Sequence, residues 1–208
     1  EQAASGLREA EAAQREAKKL AAQAGHAADV AERLALLRSA YERWTGAPGV
    51  VNQLVDTLLV VANDALAAGD EALAADYCEQ IGSIPNAPDA LQAQAARMAA
   101  GIAARRDLQA ALAEATRLLA ELERSPAPTA AGYGQIVALL ARADNRAGDA
   151  FDETSSLAAR VAEMLRQARD RHDRLAAVEP QLARAEALRE AGDWAGAGGQ
   201  FNKLGSAR

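Results

Sequence analysis

The residues of this chain that could do chemistry are few and far apart. His26 and His172 are the only histidines, and 146 residues separate them. A metal ion needs several ligands at regular spacing, so this pair predicts no metal site. Cys78 is the single cysteine, which rules out a disulfide within the chain and a cysteine-based metal centre. It reads as a small buried apolar residue rather than a reactive thiol. His172 lies in the run RDRHDR at 169–174, where alternating charges on a helix predict exposure and pairing along the helix. Acid pairs such as Glu9 and Glu11 read as ordinary surface charges. No phosphate loop, dinucleotide fingerprint, nucleophile elbow or HExxH occurs in the sequence. No enzyme and no cofactor are expected, and the remaining polar side chains must act by binding.

The elements that would position them are helices. Alanine dominates the 208 residues, with glycine and proline gathered at apparent boundaries, and alanine favours the helix because it loses no side-chain entropy there. β-branched residues are scattered, so no strand signal competes. Only two Phe, three Tyr and two Trp add bulk, and a core built from such residues requires close helix approach. The formal charge is −6, from 29 acids and 23 bases that interleave along the chain. That balance argues against nucleic acid or an anionic membrane surface as partner. The apolar window at 50–66 contains Asn52, Gln53, Asp56 and Asn63, and on that ground reads as too short and too polar to span a bilayer. Among the bases only Lys18, Lys19 and Lys203 are lysines, a bias that with the alanine excess points to a GC-rich bacterial genome, with cytoplasm or periplasm left open. The absence of an initial methionine suggests a processed chain or an excised piece.

One phrase recurs: LAAGDEALA at 66–74, NRAGDAFDE at 145–153 and REAGDWAGA at 189–197, with a degenerate ARRDLQAAL at 104–112. Helical runs flank each copy, so Gly-Asp reads as the turn of a helical hairpin. Residues 1–24 predict a charged, solvated N-terminal helix with only Leu7 and Leu20 as large apolar residues. A second helix at about 27–44 has an apolar face of Val30, Leu34, Leu37, Tyr41 and Trp44. The copy at 104–112 predicts a turn near Asp107. SPAPT at 125–129 is a candidate hinge, with Thr129 able to cap the next helix. Pro180 predicts the start of a new helix, where its missing N–H is tolerated.

Aligned on their turns, the hairpins resemble tetratricopeptide repeats. Around Gly69 the packing positions carry Leu58, Val61, Ala62, Ala65, Ala74, Cys78 and Ile81, with Pro85 beyond; around Gly192 they carry Ala185, Leu188, Ala197, Phe201 and Leu204. The turn aspartates 70, 107, 149 and 193 stand 37, 42 and 44 residues apart, against a family period of 34. The expectation is an all-α fold: a short, irregular α-solenoid of antiparallel hairpins over 27–208, preceded by the helix at 1–24. An alanine-rich helical bundle is the alternative. The resemblance implies a groove lined by Asp56, Leu59, Asn63 and Leu66 in one hairpin, and by Gln135, Ala138, Arg142, Asn145 and Arg146 in another. Asn63 and Asn145 would then pair with a peptide backbone, while Arg142 and Arg146 would fork onto a carboxylate. The implied role is a scaffold that binds another protein or peptide. The structural alternative is a helical spacer or oligomerisation segment of a larger envelope protein.

Overall fold

The computed structural model describes residues 2–147 and 155–206. Those residues form eight helices: α1 (Gln2–His26), α2 (Val30–Arg43), α3 (Pro48–Ala67), α4 (Glu71–Ser83), α5 (Asp89–Arg124), α6 (Ala130–Ala147), α7 (Ser155–Glu190) and α8 (Trp194–Ser206). No strand occurs among the described residues, and the chain is all-α.

The Gly-Asp dipeptide ends one helix and starts the next. Gly69 takes φ +82°, a left-handed conformation that only glycine adopts without cost. From there its N–H reaches Leu66 O at 3.0 Å and the Asp70 N–H reaches Ala65 O at 2.8 Å. This is the double hydrogen-bond pattern of a Schellman end. Asp70 then turns its carboxylate forward to accept from Leu73 N at 3.0 Å, capping α4. Gly192, at φ +81°, and Asp193 repeat the arrangement: Asp193 N donates to Leu188 O at 2.9 Å and Asp193 Oδ1 accepts from Gly196 N at 2.9 Å. The copy at Gly148 and Asp149 lies outside the described residues.

A Cβ added at Gly69 would meet nothing within 4 Å, so the cost of Gly69→Ala is the φ angle alone. We expect a loss of about 1–2 kcal/mol in urea unfolding. Asp70→Ala is expected to remove about 1 kcal/mol through the lost cap.

The degenerate copy behaves differently. Residues 104–112 do not turn at Asp107; they run inside the continuous α5. None of them is a glycine able to reverse the chain, and Ala, Arg, Leu and Gln all favour helix continuation. Pro180 likewise starts no helix and sits within α7, where Gln181 Nε2 donates to Ala177 O at 3.0 Å in the same turn.

The chain packs as two compact units, Glu1–Ala103 and Ala104–Arg208. In the first, α1 packs on α2, α2 on α3 and α3 on α4, with α1 also touching α3. The connection of α2 to α3 is so short that they run antiparallel, as do α3 and α4. The core centres on α3, where Val51, Val55, Leu58 and Ala62 are almost fully buried beside Leu37 of α2 and Ile81 of α4. Asp29 caps α2 by accepting from Ala31 N and Glu32 N, each at 3.3 Å. Pro48 occupies the first turn of α3.

Two expectations need correction here. The C-terminal half of α1 is a core element, because Ala17, Ala21 and Ala24 are buried. Their spacing of four and three residues places a stripe of small side chains on one face, which lets the helices approach closely. Leu7, in the N-terminal half, remains 63% exposed. The second correction concerns α3, a 20-residue helix containing an 18-residue window of mean hydropathy 1.3, long and apolar enough to cross a membrane by length and composition. Half of that window is buried, with Val51, Leu54, Val55, Leu58 and Leu59 in the core, while Val60 stays 49% exposed.

In the second unit the later part of α5 gives Leu108, Ala111, Leu112 and Ala115 to a core shared with Ile136 and Leu140 of α6 and Val161 and Leu165 of α7. α6 packs on α7 and α7 on α8. Thr129 Oγ1 accepts from Gly132 N at 3.2 Å, the cap expected for α6. Segment 125–129 joins α5 to α6 inside this unit. Glu179 of α7 accepts from Ala130 N at 2.6 Å and satisfies another free N–H of the α6 start. Arg171 ties three helices: its Nη1 lies 3.3 Å from Glu123 Oε1 of α5 and donates to Tyr133 Oη of α6 at 3.4 Å, with the guanidinium 5.8 Å from the Tyr133 ring centroid.

Candidate partner-binding site

The four residues expected to hold a peptide fall in different units. Asn63 is on α3 in the first; Arg142, Asn145 and Arg146 are on α6 in the second. Asn63 is exposed, but its amide is already engaged, donating to Leu59 O at 2.9 Å one turn back. Leu59, expected to face the groove, is instead part of the core. Asp56 beside it is exposed and Leu66 is half-buried.

On α6 the residues Gln135, Ala138, Arg142, Asn145 and Arg146 are all exposed. Their spacing makes them one stripe of the helix. Arg146 Nη1 pairs with Asp107 Oδ2 of α5 at 3.1 Å, both side chains half or more exposed. Asp107, read in the sequence as a turn residue, is therefore the partner of a residue expected to bind a ligand. Surface pairs of this kind contribute little to stability, so the bond is easily exchanged for another carboxylate.

A concavity of the first unit opens on another side of α3. A cavity of about 330 Å³ lies between α2, α3 and α4. Leu34 and Val61 supply its apolar lining, with Ala31 and Ala35 of α2 at an exposed edge and Tyr77 entering from α4. Arg38 and Asp64 are its two charged residues. Arg38 Nη2 donates to Gln80 Oε1 at 2.7 Å, a bridge from α2 to α4. Two large apolar residues stay exposed one helical turn from the lining residues: Val60, 49% exposed, four before Asp64, and Leu73, 40% exposed, four before Tyr77. Sequence reading missed this face because the repeat alignment treats Val61 as a packing position. Its exposure depends on how α2 lies on α3, and only the Val30–Leu34 spacing hinted at that.

In the second unit a crevice of about 350 Å³ is lined by Leu112 of α5 and by Arg160, Glu163, Met164 and Gln167 of α7. Glu163 is already held, accepting from Arg166 Nη2 and Gln167 Nε2 at 2.6 Å each, and the Arg166 guanidinium keeps its carboxyl below the usual range. Of its lining side chains, Glu163 and Gln167 thus satisfy one another.

Cys78 is buried and its thiol is pushed up by burial, which keeps it protonated and unreactive. His172 Nδ1 lies 2.9 Å from Asp173 Oδ1, with Asp173 well exposed. Among the described residues no three His, Cys, Asp or Glu side chains converge as a metal site would require. What the arrangement offers is a surface: an apolar groove with one charge of each sign. Comparison with protein-family models, curated proteins and solved structures finds no match, so the reading of this surface rests on the chain's own residues.

Proposed function

We propose that the chain is a protein-interaction module that holds a short segment of a partner protein on its helical surface. The observation carrying this reading is the α2–α3–α4 groove, with its apolar lining and with Val60 and Leu73 exposed beside it. Apolar side chains left open around a concavity are the usual mark of a docking surface. A volume of about 330 Å³ suits one or two side chains of a guest rather than a folded domain. The tetratricopeptide-like arrangement of the hairpins belongs to this proposal too, supported by the two Gly-Asp turns and the antiparallel neighbours on either side of them.

A blocking substitution tests it. Ala35 is exposed and lines the groove, so Ala35→Trp fills the cavity without disturbing the core. Peptides selected on the full chain from a random 12-residue display library are expected to bind Ala35→Trp at least tenfold more weakly, with an unchanged melting temperature. Equal binding to both chains rules out the groove, and selection of no peptide rules out the module. A spacer role is the second reading, favoured by α7, whose 36 residues span about 54 Å at 1.5 Å each.

A further inference from the structure

The groove has an asymmetry of charge that specifies its guest. Asp64 stands in the last turn of α3, and no basic residue accompanies it there. A helix C-terminus carries the negative end of the macrodipole, so a carboxylate in that turn is placed unfavourably and a cation would be favoured. The chain therefore keeps a negative charge where its own helix disfavours one, at the mouth of an apolar cavity. Tyr77 of α4 lines the same cavity, and an aromatic ring near a carboxylate is a good surrounding for a cation.

Arg38 lies toward the opposite end. α2 and α3 are antiparallel, and Arg38 is eight residues past Val30, about 12 Å along the helix. Gln80 holds its guanidinium through a neutral acceptor, so the positive charge there is not cancelled. A cationic guest is repelled at that end and drawn to Asp64 at the other.

Resting on the groove reading above, we infer that the guest is a segment of a partner protein that inserts a lysine or arginine side chain, its stem along Leu34 and Val61 and its charged head at Asp64. Long basic side chains bind in this way, burying the methylene stem while the head keeps a polar partner. The partner segment is thus apolar and basic, with its basic residue at the Asp64 end, and Asp64 sets specificity.

Two selections test this. A random 12-residue peptide library is displayed against the full chain and, in parallel, against Asp64→Arg. The wild type is expected to enrich peptides with Lys or Arg next to Leu, Ile, Met or Phe, and those peptides bind Asp64→Arg at least tenfold more weakly. Asp64→Arg is expected to melt higher than the wild type, because it puts a cation at the end of α3. Asp64→Asn, which removes the charge and keeps the shape, is expected to weaken the same peptides about tenfold. If all three chains bind one peptide set equally, and Ala35→Trp abolishes that binding, the groove stands and the basic anchor is overturned. Enrichment of acidic peptides by the wild type overturns it as well, and failure of every chain to select any peptide overturns both readings.

Discussion

Leu58→Ala destabilises the first unit by about 2–5 kcal/mol, the cost of deleting a fully buried leucine from a core that cannot close over the gap. Leu58 is 1% exposed and sits at the middle of α3, among Val51, Val55 and Ala62 and against Leu37 and Ile81. Alanines lie between the large side chains of this core, and Ala17, Ala40, Ala62 and Ala74 are as fully buried as Val55 and Ile81. Small residues already in contact have no spare length with which to fill a cavity. Urea unfolding followed by far-ultraviolet circular dichroism measures the loss. A change below about 1 kcal/mol would mean that α3 is not the centre of this core.

Ala62→Leu is expected to destabilise as well, by about 1–3 kcal/mol, although it adds apolar volume. Ala62 is 0% exposed and lies on the face of α3 where neighbouring helices come close. Overpacking would force the helices apart or the new side chain out of its rotamer. The pair of substitutions distinguishes a close-packed alanine core from a loose bundle. A loose bundle tolerates Leu58→Ala by collapse and gains stability from Ala62→Leu. The same urea titration reads both, and a stabilised Ala62→Leu would contradict the packing described here.

These results also mark where the sequence was legible. The two Gly-Asp turns could be read directly, because their two residues encode two local tasks: glycine alone supplies the positive φ, and aspartate alone supplies the cap. The degenerate copy was misread for the same reason, since Asp107 without its glycine cannot reverse the chain and α5 continues through it. Alanine concealed the core role of α1. A pattern that counts only large apolar residues finds Leu7 and Leu20, while the buried stripe is Ala17, Ala21 and Ala24. Burial of small residues depends on what packs against them, and no local rule states it.

The binding surface was the least legible part. Asn63, Arg142, Asn145 and Arg146 have suitable chemistry, yet the Asn63 amide is bonded to its own helix and Arg146 is paired to Asp107. Arg142 and Asn145 remain exposed on α6. The groove instead uses Leu34, Val61 and Tyr77, three residues from three helices. Sequence spacing gives the faces of each helix separately, and the angle at which three faces meet is a tertiary property. Nothing in the local sequence singles out Asp64, which gains its meaning from lining the groove beside residues of α2 and α4.

A partner segment docked as proposed in the α2–α3–α4 groove perturbs the methyl groups that line it. The most direct measurement is a methyl-resolved NMR titration of the full chain with a peptide selected on it. Shift changes are predicted at the methyls of Val30, Leu34, Val60, Val61 and Leu73, with those of Leu157 and Met164 in the second unit unmoved. Changes confined to Leu157 and Met164, or a groove that stays silent while the peptide binds, would contradict that docking.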